Sequence, residues 1–213
     1  IGYDHMNLLG NTLEKIAGEK AGIIKPNIPV VIGESNDEIR SVFINTAKEK
    51  NAPIFFAQEK YSAHHVHHTE YDLMLDVEDS ISHTTETFTL DLNGLYQTKN
   101  LITVLCAEGI LIDQGFTITD KDEKTALANT KKLTGLHGRW DIIAENPLIV
   151  LDVAHNEDGI KQVLNQIKSL NISNNKVHVV IGMVKDKDVT KVLSLLPKEA
   201  TYYFTNANIP RAM

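Results

Sequence analysis

Apolar positions along this chain change period twice, and that change restricts the folds open to it. From Thr12 to Ala57 helical spacing alternates with short apolar runs: a helix over Thr12–Gly22, a turn at Lys25-Pro26-Asn27, the strand IPVVIG, a helix over Asp37–Asn51 carrying Ile39, Val42, Phe43 and Ala47, and a strand at Ala52–Ala57. Such alternation predicts a parallel sheet with crossover helices. From Tyr61 to Leu92 the period drops to two, as in TFTLDL, which predicts antiparallel strands. Helices are predicted over Thr98–Gln114, with Leu101, Val104, Leu105 and Ile112, and over Lys121–Leu133. Gly135 and Gly138 then punctuate the chain, and a new α/β unit begins. It reads strand Trp140–Ala144, turn Asn146-Pro147, strand Leu148–Ala154, helix Gly159–Leu170, strand Lys176–Val184, helix Val189–Leu196 and strand Thr201–Thr205. The expected fold is α/β in two domains, 1–135 and 136–213. Ligands of open sheets gather beyond the carboxyl ends of the strands, here at Asp152–Asn156, Lys185–Asp188 and Asn206.

The stretch TLEKIAGEKAGI poses a local problem. Asn11 can cap the helix, with Glu14 three residues later as in a capping box. Leu13, Ile16, Ala17 and Lys20 then fall at i, i+3, i+4 and i+7, which directs an ammonium group toward the packed face. One reading is a buried stem whose charge reaches water at the helix C-terminus. The other is a buried, neutral amine able to act as base or nucleophile.

A formal charge of −7 with no compensating run of Lys and Arg argues against a nucleic-acid partner. The single cysteine, Cys106, lies in the apolar run LITVLCAEGIL, cannot form an internal disulfide, and is expected in a helix core; a reducing, cytoplasmic setting fits. No stretch reaches the roughly 18 apolar residues of a membrane span, and no targeting segment is evident. The tract His64, His65, Val66, His67, His68 invites a metal reading, but a strand divides the four rings between two faces with no cysteine or carboxylate at ligand spacing, so an exposed strand is expected. The chain opens at Ile1-Gly2 and closes at PRAM, which reads as a piece of something longer.

Polar groups collect where strands end. Asp152, His155 and Asn156 precede a helix N-terminus, a natural cradle for phosphate, ribose or carboxylate groups. Capping by Asn156 or Asp158 explains only one of them. Arg139 at the junction could reach a phosphate or be a surface arginine. Asp4-His5 suits a metal ligand or general base, and Gln97 and Asn100 could cap a helix or read an adenine edge.

Taken in order, IGYDHMNLLGNTLEKIAGEKAGIIKP, LYQTKN, GLHGRW, LDVAHNEDG, VIGMVKDKD and ANIPRA resemble the folylpolyglutamate synthase/dihydrofolate synthase family of the Mur ligase superfamily, over essentially the whole chain. The resemblance implies part of a Mur-ligase central domain, a parallel sheet with helices plus a small antiparallel sheet, followed by a Rossmann-like C-terminal domain. It implies an ATP-dependent amide ligase in which the γ-phosphate passes to a folate or dihydropteroate carboxylate and the acyl phosphate is attacked by the amino group of L-glutamate. By resemblance His5 is a magnesium ligand, Asn100, Arg139, Asp152 and His155 contact ATP, and Lys20 carries a carbamate able to bind magnesium. A cytoplasmic monomer is implied.

Several positions depart from the family. No glycine-rich phosphate loop ending in GK[ST] occurs, so this chain alone is expected to lack ligase activity. Glu157 stands where proline commonly follows HN, and Tyr96 where histidine commonly precedes Gln. A peptidoglycan-precursor ligase and a non-catalytic nucleotide-binding chain are the alternatives; EKAGI and GMVKDKD favour the folate branch.

Overall fold

The computed structural model describes residues 10–69, 72–170, 176–183, 189–206 and 208. The chain divides into two compact units, one holding Ala17–Asp152 and the other running from Val153 onward together with the described residues up to Ile16. The mixed α/β class expected from the sequence is observed.

Helix α1 (Leu13–Ala21) buries Ile16, Ala17 and Ala21. In the first unit β1 (Val30–Ile32) pairs in parallel with β2 (Ile54–Phe56). The crossover between them is α2 (Asp37–Glu49), which buries Ile39, Phe43 and Ala47 and is capped by Asn36, whose side chain accepts from the Ile39 N–H at 3.2 Å. After the single turn α3 (Ala57–Lys60), an antiparallel sheet forms from β3 (Tyr61–His68), β4 (Leu73–Asp79) and β5 (Thr85–Leu90) in the order β3-β4-β5. The period of two puts Leu73, Leu75 and Val77 on one face of β4, beside Phe88 and Leu90 of β5. On that face α4 (Gln97–Asp113) lays Leu101, Ile102, Leu105 and Cys106, so the cysteine is core packing, as expected.

The structure corrects the sequence expectations at several joints. The cap of α1 is Thr12, whose hydroxyl accepts from the Lys15 N–H at 3.2 Å, in place of the expected Asn11. The strand expected at Ala52–Ala57 shortens, because Ala57 already starts α3. The helix expected over Lys121–Leu133 is two: α5 (Asp120–Leu127), closed by a Thr119–Asp122 capping box, and α6 (Thr130–Thr134). Asn129 leaves helical geometry between them, at φ −134° and ψ 26°. The next two strands, β6 (Asp141–Glu145) and β7 (Leu148–Leu151), form an antiparallel hairpin that stays with the first unit.

Thus the contact division falls at Asp152/Val153, after that hairpin, whereas Leu136 lies inside the first unit. Two polar ties join the hairpin to the rest of the first unit. Asp141 on β6, almost fully buried, takes Lys131 of α6 at 3.4 Å and His137 Nδ1 at 2.9 Å. Burial opposes its charge, but the bonds from His137 and Lys131 hold its carboxyl below the usual range. The second tie joins Tyr96 to Asp152.

A cleft on this unit is lined by Glu86, Glu108, Asp120 and Glu123 beside Phe88 and Ile112. Burial, followed by a hydrogen bond and charge repulsion from Glu108 and then the charge of Glu86, pushes the Glu123 carboxyl up to about 8; Lys124 opposes this weakly while paired with Glu86 at 2.8 Å. A carboxyl raised in the folded state contributes stability below its unfolded value near 4.5 and loses it as pH rises toward 8. The expected result is a melting temperature that falls between pH 5.5 and 8.5. Glu123→Gln should remove about 1 kcal/mol of that decline, after discounting for solvent screening. An unchanged pH profile in the variant refutes the raised Glu123 carboxyl.

In the second unit α7 (Glu157–Ser169) and α8 (Val189–Leu195) pack together, with Ile160 and Val192 buried. Strands β8 (His178–Ile181) and β9 (Thr201–Phe204) pair in parallel, as a Rossmann-like unit requires. No helix among the described residues is long and apolar enough to cross a membrane.

Candidate functional site

Two of the expected nucleotide contacts, Arg139 and Asp152, stand together in the first unit, at the two ends of the β6–β7 hairpin. Gly138 enters the hairpin at φ 73° and Trp140 follows at φ 50°, a left-handed conformation that costs a bulky residue energy and needs outside support. That support is Asp152: its Oδ2 accepts the Trp140 backbone N–H at 2.8 Å, while the indole is buried. Arg139, partly buried between these residues, donates from Nη1 to the Gly138 carbonyl at 3.4 Å.

The same Asp152 oxygen accepts the phenol of Tyr96 at 2.9 Å. Burial, then the charge of Asp152 and its hydrogen bond, pushes the Tyr96 hydroxyl far up, so the phenol remains a donor at any ordinary pH; the Arg139 charge acts in the opposite direction. One turn further along α4, the Asn100 amide donates to the buried Gln97 side chain at 2.7 Å. The first turns of α4 therefore carry Asn100, tied to Gln97, and follow Tyr96, which holds Asp152.

His155 and Asn156 lie in the second unit. Asn156 caps α7, its Oδ1 accepting the Gly159 N–H at 2.8 Å, which confirms the capping reading of that residue. His155 is exposed, and its Nδ1 meets the Val153 carbonyl at 2.9 Å. Because a carbonyl only accepts, Nδ1 is the donor in this bond.

Lys20 is on the expected face of α1, yet it is exposed. Ile16, Ala17 and Ala21 are covered, whereas the Lys20 side chain between them in sequence reaches solvent, so the burial expected of a neutral amine is absent. The position beside the helix C-terminus suits a cation. His5 lies outside the described residues, as do Lys185–Asp188.

The histidine tract occupies β3, with His64, His65 and His67 exposed. A bulge between His64 and His67 breaks the alternation, and His65 pairs with Asp76 at 3.0 Å while His64 approaches Glu78 at 3.6 Å. Among the described residues no group of three or more His, Cys, Asp or Glu side chains is placed to hold a metal ion. The described side chains thus do not by themselves form a magnesium site. Sequence reasoning missed the Tyr96–Asp152 tie: the departure at Tyr96 was visible, but its partner stands 56 residues away.

Comparison with known proteins gives the following. The Mur ligase, glutamate ligase domain matches residues 138–213. A dihydrofolate synthase/folylpolyglutamate synthase of Bacillus subtilis (strain 168) is 32% identical over 219 residues, covering 100% of this chain and 48% of that protein. The protein of the same name from Escherichia coli (strain K12) is 31% identical over 197 residues, covering 92% and 42%. Among solved structures, E. coli FolC in complex with ADP superposes with a TM-score of 0.77 at 29% identity, over 100% of this chain and 47% of that one. An FPGS-AMPPCP-folate complex superposes with a TM-score of 0.81 at 26% identity, over 96% and 48%. The chain spans about half the length of the curated relatives it matches.

Proposed function

The chain belongs to the folylpolyglutamate synthase/dihydrofolate synthase family, and from that premise we propose that it serves an ATP-dependent amide ligase adding L-glutamate to folate, to dihydropteroate, or to both. The strongest support is a likeness that runs through both units to a complex with a nucleotide analogue and folate.

In this reading a carboxylate oxygen of the pterin substrate attacks the γ-phosphorus of ATP, and ADP leaves with the electrons of the broken P–O bond. The glutamate amino group then attacks the acyl phosphate carbonyl, phosphate departs, and the ammonium proton is lost to solvent. Charge spreads over the transferred phosphoryl oxygens, so the protein's contribution is positioning and placed positive groups. Arg139 is assigned to a phosphate, Asp152 to a ribose hydroxyl, and Asn100 to the nucleotide from α4. His155, with Nδ1 given to the Val153 carbonyl, is assigned to the nucleotide, either donating to a phosphate or packing on the base. The family's domain boundary is placed at 135/136, supported by the glutamate ligase domain match that begins at residue 138.

Magnesium would be held by His5 and by a carbamate on Lys20, the two ligands assigned by family resemblance, and when bound would offset charge on the phosphates. A cytoplasmic monomer is likewise part of the proposal. The 213-residue chain by itself is proposed to be inactive, since it contains no GK[ST] phosphate loop.

The deciding experiment is ADP release by the full-length protein with glutamate and either dihydropteroate or a reduced folate. Release that requires both glutamate and a pterin supports the ligase. Release independent of pterin points to the peptidoglycan branch, no release leaves only a nucleotide-binding protein, and ligase turnover by the 213-residue chain alone overturns the claim of inactivity.

A further inference from the structure

Asp152 is held by two donors on a single oxygen, and one of them comes from a distant part of the chain. The Trp140 N–H is twelve residues away and closes the local turn, whereas the Tyr96 phenol reaches Asp152 across 56 residues. Tyr96 itself is seated with little freedom. Its ring lies against Gly94, where an added Cβ would come within 2.8 Å of Cε1 and Cζ, so space, not backbone conformation, requires glycine there. Tyr96 is also the N-cap residue of α4 yet makes no side-chain cap bond; its hydroxyl is committed to Asp152.

A carboxylate on a short side chain rotates about two bonds, and its second donor fixes that rotation. The adjacent Gln97 does the same for Asn100 on the next turn. We propose that Tyr96 is a positioning residue for nucleotide binding, orienting Asp152 and coupling the N-terminus of α4 to the hairpin that carries Arg139. This rests on the reading of Asp152 as a nucleotide contact. Tyr96 touches no reacting atom; it acts through Asp152.

The test uses the full-length protein with Tyr96→Phe, Asp152→Asn and the double variant, measuring ADP affinity by calorimetry and KM for ATP and for glutamate separately. Loss of one hydrogen bond to a charged group predicts about a tenfold weaker ADP affinity and higher ATP KM in Tyr96→Phe, with glutamate KM unchanged. In the double variant Tyr96→Phe should add less than twofold to Asp152→Asn. Gly94→Ala, which displaces the ring while keeping the hydroxyl, should reproduce the tenfold loss. Unchanged nucleotide affinity in Tyr96→Phe, with Asp152→Asn weakened, overturns the positioning role. Full additivity, or equal losses for ATP and glutamate with a lowered melting temperature, overturns it as well. If Asp152→Asn binds ADP normally, the assignment of Asp152 is itself wrong, and the inference falls with it.

Discussion

Lys20→Ala in the full-length protein is expected to reduce glutamate-dependent ADP release by at least about 100-fold, the scale on which a group acting at developing phosphoryl charge is felt. Folding should change little: Lys20 is exposed, and losing a cation from the last turn of α1 costs about 0.3–1 kcal/mol. The two measurements therefore separate chemistry from structure. Lys20→Arg distinguishes the forms of the hypothesis. A carbamate requires the Nζ lone pair to attack carbon dioxide and release a proton, converting a positive charge to a negative one, which guanidinium does not do. Arginine should thus be as inactive as alanine, and full-length protein in labelled bicarbonate should show a carbamate carbon resonance that either variant lacks. Activity retained in Lys20→Arg, without that resonance, reduces Lys20 to a cation at a helix terminus. The structure sharpens this test, because exposure of the side chain removes the burial argument and leaves the family resemblance as the support for the carbamate.

The second large effect is on stability. Phe88→Ala should destabilise the first unit by about 3–5 kcal/mol, the range for removing a buried aromatic side chain and leaving its cavity. Phe88 is 4% exposed, stands opposite Leu75 on β4, and joins the cluster in which α4 meets the sheet. The matching control is Val104→Ala on α4, where 48% exposure predicts a far smaller loss. Urea unfolding followed by circular dichroism provides both values. A Phe88→Ala midpoint within experimental error of the unsubstituted protein contradicts the core assignment.

Much of the chain declared itself through periodicity. The buried face of α2, the alternation of β4 and β5, and the burial of Cys106 follow from which residues recur at 3.6 or 2, a property of the backbone that no partner has to supply. The candidate site residues were named from ordered motifs, and the capping role of Asn156 from its place before a helix. Tertiary structure alone decided the rest. Lys20 has the spacing of a buried residue, but spacing fixes a direction and not what waits there; Ile16, Ala17 and Ala21 are covered while Lys20 is exposed. The glycines near 135 marked a joint, yet the hairpin stays with the first unit, where Lys131 and His137 hold Asp141 from nearby in the chain and Tyr96 holds Asp152 across 56 residues. Local patterns determine element and face because they are encoded within a few residues. The partner of a charged group is chosen by burial and long-range packing, which no single stretch of sequence contains.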